Sequence, residues 1–301
     1  MYDIVAEIPK KDILKGYKEK KRESEKVSYL YRYNDKKLDK IKDCSVQLWK
    51  ETWEHTATQE QKELFSSNNC NLRFCPVCSW RKALKSSAIL FTNLSKMENC
   101  NFLFLTLTLK NCDLFDLKDT FKLMSESFAR LRKTAEWIKN IKGYVRAIEI
   151  TVADDGKMNP HFHVLLQVVS SYGKNKKKGF YITQSQFTDL WQKSLKIDYK
   201  PIVHIQSIKG KSDTRDSLIC AVAETVKYTL KSSDLLKMNQ HTFPILDLSM
   251  KGIKTINCGG TLLHALKPSE NEEMSKDDWI MLARELFNWE NGDYALSGRK
   301  F

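Results

Sequence analysis

Asn159-Pro160-His161-Phe162-His163-Val164-Leu165-Leu166-Gln167-Val168-Val169 is the stretch on which the reading of this chain turns. An apolar run of this length bounded by turn formers predicts a buried β-strand. Side chains alternate faces along a strand, so His161 and His163 share one face and Phe162 takes the other. Two imidazoles on one strand face can grip one metal ion. The preceding segment, Gly143 to Ala153, is also strand-like, and Asp154-Asp155-Gly156 is a turn signal. The two form a hairpin. Centring it on Gly156 places Glu149 opposite His163 and beside His161. A two-residue Asp155-Gly156 turn would instead oppose Glu149 to Phe162, on the wrong face. Ligation by Glu149 therefore requires an odd-length loop or a bulge.

Working outward, Asn101 to Lys110 reads as a strand, Val203 to Ile208 as a short one, and Thr183 to Leu195 as a helix. Residues 116–140 read as one amphipathic helix carrying Phe121, Met124, Phe128, Leu131 and Ile138 inward. Asp216 to Lys231 reads as a helix on which Glu224 and Tyr228 lie one turn apart, with Lys227 beside them. Leu218, Ile219, Val222 and Val226 anchor its other side. The fold class is α+β with an antiparallel sheet. The expected division is a basic N-terminal arm (1–40), a cysteine-rich element with a basic helix (41–100), a central domain (101–268) and a tail (269–301). The arm is lysine-rich, without regular apolar periodicity, and reads as mobile or loosely helical.

Cys70, Cys75 and Cys78 lie within nine residues, and Cys75-Pro76-Val77-Cys78 has metal-ligand spacing. This predicts a structural zinc knuckle lacking one ligand. Cys44 and His55 are the candidates for it, with Cys44 preferred for a thiolate-rich site. No apolar signal core or membrane span is visible, so a cytoplasmic location with reduced thiols is expected. The 301 residues carry a formal net charge of +13, which points to nucleic acid rather than membrane as the partner. Arg73, then Arg81, Lys82 and Lys85 on the following helix, and Lys174, Lys176, Lys177 and Lys178 in a basic loop, are the candidate phosphate contacts.

A metal-ligating set, a tyrosine and a carboxylate suit phosphodiester chemistry. A tyrosine hydroxyl has a pKa near ~10 and needs help to attack. A neighbouring Lys227 or a metal-polarised phosphate supplies it. Glu224 can serve as general base for water. Mixed imidazole and carboxylate ligands suit Mn²⁺ or Mg²⁺ in this role. An iron oxygenase with two His and one carboxylate usually spaces its ligands differently.

These blocks, in this order, resemble the rolling-circle plasmid replication initiators of the single-tyrosine HUH endonuclease class, found on small plasmids of low-GC Gram-positive bacteria. The resemblance covers roughly residues 40–268. It rests on the segment from Cys70 to Arg81, on Phe102 to Leu109, on Asn159 to Leu166 and on Glu224 to Tyr228. It implies the HUH fold, a central antiparallel sheet flanked by helices with the His pair on a middle strand, plus the zinc-binding element. It implies a divalent ion on His161, His163 and Glu149, nicking by Tyr228 through a 5′-phosphotyrosine, and water activation by Glu224 at termination. It also implies the plasmid double-strand origin, a host helicase and a host DNA polymerase as partners; association into a homodimer is left open. Two other readings remain. One is a single-tyrosine HUH transposase. The other is a non-catalytic zinc-dependent DNA-binding regulator, which needs the cysteines but neither Tyr228 nor the His pair. The three-His cluster of conjugative relaxases is absent.

Overall fold

In the computed structural model the hairpin turn closes between Ala153 and Lys157, where the Ala153 amide donates to the Lys157 carbonyl at 2.9 Å. Asp154-Asp155-Gly156 is a three-residue loop, and Gly156 takes the left-handed φ of +80° that such a loop needs at its end. The loop is odd-length, as ligation by Glu149 requires, but its centre is Asp155 rather than Gly156. Glu149 consequently pairs with His161, not His163. The face is the expected one and the register differs by one pair of positions.

The structure describes residues 12–98, 100–174, 176–208, 214–227, 229–268 and 278–301, with the side chains of 214–216 excluded. Along these run α1 (Ile13–Val27), a 3-10 turn, α2 (Asp35–Asp43), β1 (Gln47–His55), β2 (Gln61–Ser67), α3 (Pro76–Ser95), β3 (Asn101–Thr108), α4 (Leu117–Leu131) and α5 (Ala135–Asn140). There follow β4 (Ile141–Val152), β5 (Met158–Val168), α6 (Gln184–Leu195), β6 (Val203–Ile208), α7 (Thr214–Thr225), α8 (Ser232–Leu235), α9 (Phe243–Ser249), β7 (Ile256–Gly260), β8 (Trp279–Glu290) and β9 (Asp293–Lys300). The chain divides into two compact units, Met1–Ala88 with Pro268–Phe301, and Ile89–Lys267. The described tail residues group with the N-terminal unit.

The N-terminal unit holds an antiparallel sheet in the order β2-β1-β8-β9. From residue 12 onward the lysine-rich arm is helical and packed: Tyr17, Val27, Leu30 and Tyr31 are buried. Its apolar residues are too sparse to read as an amphipathic stripe, yet enough to seat it. The tail supplies β8, which pairs with β1, and β9 at the sheet edge.

The second unit holds an antiparallel sheet in the order β6-β3-β5-β4-β7, with the His strand β5 in the middle. One face is covered by Leu90, Leu94, Ala221, Val222, Val226 and Leu262 over Phe102, Phe104, Val145 and Leu165. On the other face Phe128 of α4 meets Phe162 at 6.1 Å between ring centroids. The helix expected over 116–140 is two. α4 ends at Leu131, and Thr134 caps α5 by accepting from the Trp137 amide. The break rotates the helical phase, so Trp137 is buried and Ile138 is 69% exposed.

Candidate metal centres and catalytic site

The middle strand and its neighbours build the first site. His161 Nε2 lies 3.1 Å and His163 Nε2 2.5 Å from the same oxygen, Oε2 of Glu149. All three residues are on one sheet face because Glu149 opposes His161 and His163 is two residues on. The other ring nitrogens are engaged. His161 Nδ1 lies 3.2 Å from the Asn159 carbonyl, and His163 Nδ1 lies 3.3 Å from Thr106 Oγ1 on the facing position of β3. Both Nε2 atoms face the Glu149 carboxylate: protonated there they donate to it, and with the ring protons on Nδ1 the two Nε2 lone pairs and the carboxylate would form a set of acceptors for one cation. The three ligand atoms lie within 4.8 Å of one another, which fits a single metal ion. The ring of Phe104 stacks on His163 at 5.3 Å.

Two further charges border the set. Lys227 Nζ lies 2.7 Å from Glu149 Oε2 and also pairs with Glu224. Glu224 Oε1 is 3.9 Å from His163 Nε2, and its side chain is 46% exposed. Burial alone would raise the Glu149 pKa, but hydrogen bonds from His161, His163 and Lys227 outweigh it and hold the carboxyl well below the usual range. Burial pulls Lys227 down, and its contacts with Glu149 and Glu224 outweigh that and raise it. The helix carrying Glu224 begins at Thr214 and ends at Thr225, earlier than Lys231, so Lys227 reaches the site from beyond the helix end. Tyr228 lies outside the described residues. Val222 and Val226 are buried as the expected anchor, and Leu218 is partly buried against them.

The second site lies in the N-terminal unit. The sulfurs of Cys44, Cys70, Cys75 and Cys78 lie within 4.8 Å of one another. Cys44 to Cys75, Cys44 to Cys78 and Cys70 to Cys78 are each 3.6 Å. Cys44, at the end of α2, is thus the fourth member. His55 is elsewhere, with Nδ1 taken by the Ala57 and Thr58 amides and its ring against Trp279. Hydrogen bonds from the other three thiols push Cys44 down toward thiolate. Four sulfurs at this spacing fit a thiolate-binding metal. Sequence reasoning missed Lys21 here, hidden in a run of charges that looked solvated. It is 1% exposed and donates to the Lys42 and Cys44 carbonyls at 2.7 and 2.8 Å. Burial lowers its pKa, while Cys44 and Cys75 act to raise it. Thr106 was also missed; a hydroxyl within an apolar strand opposite the His pair was the available signal.

The basic residues fall in different units. Arg73, Arg81, Lys82 and Lys85 belong to the N-terminal unit, while Lys174, Lys176, Lys177 and Lys178 belong to the second, where all four are exposed. Among the described residues no helix is long and apolar enough to cross a membrane.

A family model described as "Replication protein" matches residues 61–295. A "Protein rep" of Lactiplantibacillus plantarum is 35% identical over 247 residues, 78% of this chain and 77% of that one. A "Protein rep" of Lentilactobacillus hilgardii is 31% identical over 280 residues, covering 88% and 87%. A "Protein rep" of Staphylococcus aureus is 34% identical over 231 residues, covering 74% of this chain and 95% of its own length. No solved structure matches the chain.

Proposed function

The chain belongs to the replication protein family, here as a rolling-circle plasmid replication initiator, and on that premise we propose that it nicks and later rejoins one strand of its plasmid's double-strand origin. The observation that carries this reading is the convergence of His161, His163 and Glu149 on one point of the middle strand, with Lys227 and Glu224 at its border. The HUH architecture, with the His pair central in an antiparallel sheet, is part of the proposal. A divalent ion such as Mn²⁺ or Mg²⁺ held by the three ligands would polarise the scissile phosphate.

The chain's own groups do the rest. Thr106 and the Asn159 carbonyl hold the two rings with Nε2 inward. Lys227 keeps Glu149 ionised. Tyr228, next in sequence, attacks phosphorus through its phenolic oxygen. The P–O bond to the 3′ side breaks, and the phenolic proton is, in net, carried to the 3′ oxygen. The products are a 5′-phosphotyrosine and a 3′-hydroxyl, an end that a host DNA polymerase extends after a host helicase opens the duplex. Glu224, half exposed beside His163, takes a proton from water to resolve the second cleavage. Zinc on the four cysteines would be structural, and the basic residues of both units contact origin phosphates. The protein acts in the cytoplasm.

The test is nicking of supercoiled plasmid bearing the origin, with Mn²⁺ or Mg²⁺ and with EDTA. Open circles that need metal, and a protein–DNA adduct lost in Tyr228→Phe, are expected. Glu224→Ala should nick and resolve poorly. Origin binding without a nick under either metal would replace this reading with the zinc-dependent DNA-binding regulator.

A further inference from the structure

The sheet face turned away from the His pair carries cations that nicking does not use. Arg146 precedes Glu149 on β4 by three residues, so its side chain leaves the opposite face. It is 8% exposed, and its Nε is buried with no hydrogen-bond partner. Its guanidinium carbon lies 4.3 Å from the Phe162 ring centroid and 5.0 Å from that of Phe128. Arg132, exposed just beyond α4, lies 5.9 Å from the same Phe128 centroid and 5.3 Å from that of Tyr144. Neither arginine forms an ion pair among the described residues. Burial pushes the Arg146 pKa down to about 10; Tyr144 acts to raise it, and the charge of Arg132 adds a lesser lowering effect.

Ring faces offset part of the cost of burying a guanidinium but leave the buried Nε–H of Arg146 unmatched. Two like charges beside one ring also repel each other. A tetrahedral oxyanion answers both defects, since it accepts bidentately from a guanidinium and neutralises the pair. We infer that Arg146 and Arg132 form a phosphate site on the face of the sheet opposite the metal-ligating residues. The phosphate is either a phosphodiester of bound DNA or a free phosphate group. The site does not depend on the nicking reaction.

Full-length wild type, Arg132→Ala, Arg146→Met and a control, Lys118→Ala on the exposed side of α4, separate the sources. Two measurements are needed: the salt dependence of duplex binding, and melting in inorganic phosphate against chloride at equal ionic strength. A DNA phosphate predicts that Arg132→Ala lowers the slope of log K against log salt by about 0.9, with Lys118→Ala unchanged. A free phosphate predicts that phosphate raises the wild-type melting temperature but not that of Arg132→Ala. Arg146→Met should behave like Arg132→Ala; if it fails to fold, the exposed Arg132 decides. Slopes and melting responses equal to wild type, or an equal change in Lys118→Ala, would overturn the site.

Discussion

Replacing Thr106 by Val removes one hydroxyl and leaves the candidate metal ligands His161, His163 and Glu149 in place. Thr106 lies on β3 directly opposite His163, with Oγ1 3.3 Å from Nδ1. Valine keeps the branched shape and suits a strand, so the backbone should not move. His163 is 6% exposed, which leaves little water to replace the lost partner. Its ring then loses the contact that fixes its orientation. Partners of this kind are worth roughly 10- to 100-fold in metal affinity. A contact of 3.3 Å is longer than the usual hydrogen bond, which places the loss near the lower end, about tenfold or ~1.4 kcal/mol. Titration with Mn²⁺ by calorimetry, checked by the electron paramagnetic signal of the free ion, measures it directly. Thr106→Ser should recover most of the affinity. An unchanged dissociation constant in the Val variant, or a Ser variant as weak as Val, would refute the positioning role.

Glu149 gives a pH signature: burial opposes its ionisation, but the His161, His163 and Lys227 hydrogen bonds depress its pKa below the unfolded value of roughly 4.3. It therefore contributes stability that is full above that value and declines as pH falls below it; in urea melts over this range Glu149→Gln should flatten the decline, and parallel curves would contradict it. A strong chelator should release zinc from the four cysteines, seen with a metallochromic dye, and make α1 sensitive to protease, because Lys21 is held there by the Cys44 carbonyl; Cys44→Ala should copy this, and a chain that binds no zinc would refute the assignment. Gly260 has φ +62°, and a Cβ there would lie 2.1 Å from the Lys142 carbonyl oxygen. Gly260→Ala should cost about 1–3 kcal/mol in urea denaturation, and a neutral change would show that β7 can shift away from β4.

Much of the candidate metal-ligating set was legible because strand periodicity is local. A period of two assigns His161 and His163 to one face whatever the rest of the chain does, and the cysteine spacing marks a ligand cluster in the same way. The face of Glu149 followed from the parity of the loop. Its partner did not, because closure between Ala153 and Lys157 rather than around Gly156 depends on which turn conformation Gly156 adopts. Helix ends were legible only to the nearest cap. Thr134 restarts a helix that apolar spacing alone carries through to Ile138.

What the sequence determined by itself was the α+β class, the His pair and its face, the cysteine cluster and the family resemblance, all of which reside in short stretches. Only the tertiary structure decided the fourth sulfur, the Thr106 and Lys227 contacts, the burial of Lys21 and the pairing of β8 with β1. The physical reason is that periodicity states which face a side chain takes, whereas its partner is chosen by closing every buried hydrogen bond and apolar surface together. That choice joins segments such as residues 47–55 and 279–290, whose local patterns carry no record of each other.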